Sequence, residues 1–309
     1  MSDRKTIPIF KLIGKVLVAI IFIIVITVIL SIAAAVMALK LHPELIVSMD
    51  AVAKDPFFIK AALWAQILGF ISGVYLAFYI FERRKGWSLG LHSGPIGRQL
   101  VIGLGLGAVL ILLSSACIWL LGGIHIVNVQ WSVDKGYQIG GSFLLFIGVA
   151  LNEELFARGY LQGLAKHQFG AKAAIGISTL VFALLHSFNP GMWNSPLPLI
   201  NLLLAGLLFG ICREASGSLW MPIGLHLSWN FLQGCVLGFD VSGIPMASVM
   251  TTETQGTTVV SGGAFGAEGS LVTSFVLVLG IIMIYNYYQT RIRFERVSPA
   301  QGKFNREIY

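Results

Sequence analysis

Charged residues are scarce in this chain. Asp, Glu, Lys and Arg make up 11% of its 309 residues, hydrophobic residues make up 56%, and the mean hydropathy is +0.82. Soluble domains usually carry about 25% charged residues. The shortage of charge therefore excludes an ordinary soluble domain and indicates a protein that lies largely within a membrane.

Cysteine is also rare, and the sequence shows no heptads and no short-period repeat. The three cysteines, Cys117, Cys212 and Cys235, lie in or at the ends of apolar segments and have no paired spacing. Such a pattern excludes a disulfide framework and a cysteine-based zinc site. No composition shift marks a second domain, so we predict a single membrane domain over residues 1–309.

Several protease signatures are missing as well. The apolar segments contain no aspartate, which excludes an aspartyl mechanism, and no His-Glu-x-x-His motif places two metal ligands on one helix. A serine mechanism that uses Ser216 and His226 is excluded by distance, because ten residues along one helix separate them by about 15 Å.

Long apolar runs are what the chain does contain. Segments of about 20 apolar residues can cross a bilayer as helices. They lie near 14–39, 57–81, 99–121, 139–157, 172–188, 197–212, 219–239 and 271–289. The sequence therefore predicts an all-α, polytopic integral membrane protein with about eight transmembrane helices. The apolar stretch of the first segment exceeds that of a signal peptide, so we expect it to remain as a span.

Basic residues are distributed unevenly between the two sides of this arrangement. Of the 21 Lys and Arg residues, only Lys40, Lys54, Lys60 and Lys135 fall on one side. The positive-inside rule therefore predicts that both termini lie in the cytoplasm, and we expect the cell inner membrane. Topology and contact with anionic lipid explain the net charge of +7, which gives no reason to expect nucleic acid as a partner.

The longest predicted loop on the other side covers residues 240–270. It is rich in Gly, Thr and Ser, and includes Gly262, Gly263 and Gly266. This composition predicts an exposed, flexible loop. Composition gives no indication of its role.

Two adjacent glutamates, Glu153 and Glu154, break the rule that the apolar segments carry no acid. They are the only two of the 14 acidic residues within a predicted span, and His186 and His226 are the only two of the six histidines within helical stretches. An acidic residue at the centre of a membrane helix costs roughly 2.5–3.5 kcal/mol. Side chains kept at that cost usually have a function, so these four residues form a candidate intramembrane site.

Helical spacing distributes roles among these residues. Glu154 and Arg158 are four apart, which predicts an ion pair on one helix face, whereas Glu153 points about 100° away and is left to face a pocket. There it is suited to take a proton from water and return it to a leaving amine. A purely structural Glu154–Arg158 pair is the alternative.

Two further helices complete the cluster. His226 and Asn230 share one helix face and can support a developing oxyanion, while His186 has Phe182 one turn before it as an apolar wall. Three helices can therefore converge on one water, as amide hydrolysis requires. Taken singly, each histidine is more often a packing residue and Asn230 a cross-helix hydrogen-bonding residue.

The ordered set of motifs resembles a known family. Glu153-Glu154-x-x-x-Arg158, Phe182-x-x-x-His186 and His226-x-x-x-Asn230, on successive apolar segments, are similar to the three-motif signature of the CAAX protease and bacteriocin-processing family. These intramembrane endopeptidases are also called the abortive-infection family. The resemblance covers a catalytic core at about residues 139–239.

This resemblance implies proteolysis of a membrane protein or peptide, including prenylated CAAX-type substrates. It implies Glu153 as general base, His186 as its partner, and His226 with Asn230 at the oxyanion. The family is usually described as metalloproteases, although a metal-free glutamate mechanism has also been proposed. Zinc therefore stays open as a cofactor, with His186, His226 and Glu153 as candidate ligands.

The alternative to an enzyme is a membrane scaffold, a bacteriocin-immunity protein or a transporter that uses the same Glu and His cluster as a proton relay or ligand site. Transporters often have two halves with matching broken helices. We find no matching Gly- or Pro-interrupted segments in the two halves, which weakens the transporter hypothesis.

Overall fold

A computed structural model describes residues 3–92 and 94–297, and within them the chain is almost entirely helical. The helices are α1 (Asp3–Leu41), α2 (Met49–Lys54), α3 (Pro56–Phe81), α4 (Ile96–Leu120), α5 (Val133–Glu154), α6 (Gln162–Phe169), α7 (Ala171–Leu185), α8 (Leu197–Ser216), α9 (Trp220–Phe231), α10 (Thr258–Ser261) and α11 (Leu271–Val297). Two short strands, β1 (Ile124–Val129) and β2 (Met250–Thr254), pair antiparallel. The predicted all-α class is confirmed.

Within the described residues, six helical stretches are long and apolar enough to cross a membrane: Ile9–Leu41, Pro56–Phe81, Ile96–Leu120, Val133–Phe169, Leu197–Ser216 and Leu271–Gln289. The protein is therefore polytopic, as predicted. The other two predicted spans, 172–188 and 219–239, also form helices, but α7 and α9 are only 15 and 12 residues long. Every residue from Met221 to Asn230 of α9 is buried, so α9 is enclosed by protein and its length is not set by the bilayer.

Close packing of α4 against α9 sets the position of α9. Gly103 and Gly107 lie on one face of α4, in a small-x-x-x-small pattern that lets helix backbones approach closely. A Cβ added at Gly103 would lie 2.1 Å from the carbonyl oxygen of Met221, and one at Gly107 would lie 2.2 Å from Ser228 Oγ. Gly224 meets α4 in the same way, 2.4 Å from the carbonyl oxygen of Leu100.

Substitution of Gly103 by alanine is therefore expected to destabilise the protein. The new Cβ meets backbone atoms of α9, which a rotamer change cannot move aside, and overpacking of this kind costs about 1–3 kcal/mol. Thermal unfolding of the detergent-purified variant measures the effect. Gly105→Ala is the matched control, because a Cβ there has nothing within 4 Å. Equal melting temperatures for the two variants would contradict the close helix contact.

The polypeptide widens into a π-helix directly after the glutamate pair. α5 ends at Glu154, the π-helix runs from Leu155 to Leu161, and α6 continues from Gln162. All seven residues of the π-helix, Arg158 included, are buried. Segments of π-helix are rare and often mark functional sites, and this one places Arg158 in the interior.

The 240–270 segment is folded, and the expectation of an exposed loop is wrong for residues 261–270. Phe265 and Ala267 are buried, with relative exposures of 1% and 0%. Its glycines permit close backbone packing, although a glycine-rich composition by itself predicts flexibility. A Cβ at Gly266, where φ is +79°, would lie 1.9 Å from the carbonyl oxygen of Asp240, and Gly262 meets Gly266 equally closely.

Candidate active site

A cavity of about 520 Å³ lies where α3, α5, α7, α8 and α9 meet the 240–270 segment. All four residues predicted to carry the chemistry, Glu153, His186, His226 and Asn230, line it. The remaining polar lining residues are Gln66, Asn152, Asn189, Asn201, Ser242 and Glu268, and most of the others are apolar or aromatic. The structure therefore brings the three motifs to one mixed, mostly apolar cavity.

Glu153 and His186 face each other across this cavity. Glu153 Oε2 lies 3.8 Å from His186 Nε2, beyond the range of a direct hydrogen bond. His186 Nδ1 donates to the carbonyl oxygen of Phe182 at 2.9 Å, which leaves Nε2 for the cavity. Glu153 Oε2 is buried and has no hydrogen-bond partner in the described part of the chain. A group between them that donates one hydrogen bond to Glu153 Oε2 and another to His186 Nε2 would therefore satisfy both residues.

Glu154 points away from the cavity and is fully buried. Arg158 Nη1 donates to its Oε1 at 2.9 Å, which is the ion pair expected from the four-residue spacing. His226 Nδ1 donates to the same oxygen at 3.1 Å, a contact that the spacing did not predict. Glu154 therefore bonds both to Arg158, in the π-helix that follows it, and to His226 on α9.

Arg158 is enclosed by aromatic rings. Its guanidinium carbon lies 4.2 Å from the ring centroid of Phe182 and 5.0 Å from that of Phe209, and Nη2 donates to the carbonyl oxygen of Gly206 at 3.2 Å. The His226 ring stacks on Phe209 with centroids 5.2 Å apart. Phe182 also lines the cavity, beside His186. Phe209 was not predicted, because nothing in sequence separates it from other apolar residues of α8.

The second residue of the third motif, Asn230, lies one turn after His226 on α9. It is buried, with 7% of its surface exposed, and lines the cavity. Its neighbour Trp229 donates from Nε1 to Gln233 Oε1 at 2.8 Å, and Gln233 Nε2 donates to the carbonyl oxygen of Asp240 at 2.7 Å. These bonds tie the end of α9 to the 240–270 segment that covers the site.

Glu268 is the cavity residue that sequence reasoning missed. Ser242 donates to Glu268 Oε2 from its backbone N at 2.7 Å and from Oγ at 2.8 Å, and Asn189 Nδ2 donates to the carbonyl oxygen of Ser242 at 3.2 Å. Burial raises the pKa of Glu268, although the Ser242 bonds and the nearby imidazoles act in the opposite direction. Nothing in the sequence distinguishes Glu268 as a site residue, because it is a loop acid among glycines.

The proposed zinc ligands do not form a metal-binding set. In the described part of the chain, no three His, Cys, Asp or Glu side chains come together as metal ligands. Glu153 and His186 are neighbours, but a catalytic zinc needs three protein ligands. We therefore derive no step through a metal.

Residues 136–232 match the model of the family described as type II CAAX prenyl endopeptidase Rce1-like. The resemblance carried by the three motifs is thus confirmed, and every residue of those motifs lies within the match. The match supports a membrane protease in general, with a membrane-associated substrate. Neither the search of curated proteins nor the search of solved structures found a match. Glu268 lies outside the matched region.

Proposed function

From the similarity of residues 136–232 to the Rce1-like endopeptidases, we propose that this chain is an intramembrane endopeptidase that uses a glutamate-activated water. The observation that carries the proposal is the pair of Glu153 and His186, which face each other at 3.8 Å in a mostly apolar cavity. An ionisable pair in an apolar cavity is a functional-site hypothesis by default.

Water activation is the first step. A water between the two side chains donates one hydrogen bond to Glu153 Oε2 and another to His186 Nε2, which is free to accept because Nδ1 donates to Phe182. Glu153 removes a proton as the water oxygen attacks the carbonyl carbon of the peptide bond. His186 acts here by holding the water in line for attack.

The tetrahedral intermediate is the second step. Asn230 donates a hydrogen bond to the oxyanion, and His226 does so from Nε2 when its ring is protonated. Glu154 favours the protonated ring, because its carboxylate, which also accepts from Arg158, accepts from His226 Nδ1. Glu153 then returns its proton to the leaving amine, and the carbon–nitrogen bond breaks.

Apolar lining residues point to a substrate with an apolar or lipidated segment. Leu63, Ile67 and Phe70 from α3 and Phe146 and Val149 from α5 line one side of the cavity. We propose a membrane protein or peptide as substrate, with prenylated CAAX-type peptides as the first to test. The uneven distribution of basic residues supports the proposal that both termini lie in the cytoplasm.

Cleavage of a mixed peptide library, some members prenylated, tests this function. Detergent-purified wild type is expected to cut members that carry an apolar or prenylated segment, with product masses showing hydrolysis of one peptide bond. The same activity is expected after treatment with a zinc chelator, since the described donors form no three-ligand set. Loss of activity that added zinc restores would instead establish a metal mechanism.

The scaffold, immunity-protein or transporter alternative makes the opposite prediction. A folded wild type that cuts no member of the library but still binds peptides would favour it. Mass spectrometry of the products and a thermal unfolding curve of the same sample distinguish an inactive fold from an unfolded protein.

A further inference from the structure

Glu268 is a second carboxylate in the cavity, and the proposed mechanism does not use it. It lies three residues before α11 and lines the same cavity as Glu153. It interacts electrostatically with both His186 and His226. A charge this close to the reacting groups affects whatever enters the cavity.

The carboxylate is held firmly in place. Besides the two bonds from Ser242 to Oε2, Asn201 Nδ2 donates to the backbone oxygen of Glu268 at 2.7 Å, and Ser274 Oγ donates to Asn201 Oδ1 at 2.6 Å. Ser242 adopts a positive φ of 49°, which no other non-glycine residue in the described ranges does. Strain of this kind usually persists where it serves a function.

The protein balances the charge of the cavity acids only in part, through the imidazoles of His186 and His226. Among the lining residues that the structure describes are two acids, Glu153 and Glu268, and no lysine or arginine. Arg158 cannot compensate them directly, because it is bonded to Glu154, fully buried and covered by two rings. Burial opposes the negative charge of Glu268 and raises its pKa.

We propose that Glu268 binds a positively charged group of the substrate, the ammonium of a lysine or the guanidinium of an arginine near the bond that is cut. The inference rests on the proposed function, whose substrate class it narrows. A carboxylate held by neutral serine donors gains most from a cationic partner in a poorly solvated cavity.

Peptide binding tests this proposal separately from cleavage. Glu153→Gln protein binds fluorescent peptides that share one apolar segment and carry lysine, norleucine or glutamate at one position, moved stepwise along the chain. Norleucine keeps the length of the lysine stem without its charge. At the correct position we expect lysine to bind about tenfold more tightly than norleucine, and glutamate more weakly than either.

Two variants assign the preference to one residue. In the Glu153→Gln background, Glu268→Gln is expected to remove the difference between lysine and norleucine. Glu253→Gln is the matched control, because Glu253 lies on β2 in the same segment, is exposed and does not line the cavity. A preference that survives Glu268→Gln would overturn the assignment.

The peptide series keeps the test decisive if Glu268→Gln does not fold. Equal binding of lysine and norleucine peptides at every position would overturn the proposal without any further variant. If wild type cuts peptides of the library but lysine and norleucine peptides bind equally at every position, the proposed cation-binding role of Glu268 is wrong and the protease function stands. If cationic peptides bind but none is cut, the protease function fails and the subsite stands.

Discussion

Substitution of Glu153 by glutamine is expected to lower the rate of peptide cleavage by about 100- to 10,000-fold, the usual contribution of a general base. Glutamine has nearly the same shape, but its amide cannot take a proton from water. The change leaves the buried Glu154–Arg158 pair intact, and 27% of the Glu153 side chain is exposed. The variant is therefore expected to accumulate in the membrane and to unfold at the wild-type temperature.

Single-turnover cleavage of the best library peptide measures this loss, because it isolates the chemical step from product release. Glu44→Gln is the control, since Glu44 is an exposed glutamate far along the chain from the three motifs. A folded Glu153→Gln protein that cuts at the wild-type rate would show that another group removes the proton.

Membrane segments were predictable because the cost of burying charge in lipid constrains composition directly. All eight predicted spans form helices. The lengths of α7 and α9 were not predictable. α9 is buried within the protein, where the bilayer does not set the length of a helix. α7 stops at Leu185, and the chain then turns through Asn189 and Pro190.

The Glu154–Arg158 ion pair is present in the structure. The four-residue spacing of Glu154 and Arg158 specified their ion pair. The bond from His226 to Glu154 was not predictable, because it depends on how α9 lies against α5, and sequence spacing carries no information about that crossing. The glycines that let α9 approach α4, Gly103 and Gly107, were visible in the sequence, but their partner helix was not.

The 240–270 segment shows a different limit. Its glycines and serines are typical of flexible loops, and its acids lie outside the predicted spans. In the structure those glycines allow backbone contacts that fold the segment over the cavity and place Glu268 and Ser242 at its wall. A glycine-rich composition shows that the backbone of a segment can adopt unusual dihedral angles. Only the tertiary contacts show whether that backbone is held in one conformation.

Loss of the buried cation is expected to have the largest effect on stability. Arg158→Met leaves Glu154 fully buried with His226 as its remaining partner, and removal of one member of a buried ion pair costs about 3–5 kcal/mol. Methionine keeps most of the volume between Phe182 and Phe209. Thermal or denaturant unfolding in detergent measures the loss. Lys54→Met is the control, because the side chains of the Lys54–Asp50 pair, also four residues apart, are 74% and 73% exposed, and exposed pairs contribute about 0–1 kcal/mol.

A double variant separates the two roles of this ion pair. Glu154→Gln combined with Arg158→Met removes both charges, so it is expected to be more stable than Arg158→Met alone, because no uncompensated charge remains buried. Its cleavage activity is expected to stay low, since a neutral residue at position 154 no longer favours the protonated ring of His226. Recovery of stability together with activity would show that the pair only supports packing. Recovery of stability alone would show that Glu154 positions His226, whose Nδ1 lies 3.1 Å from Glu154 Oε1.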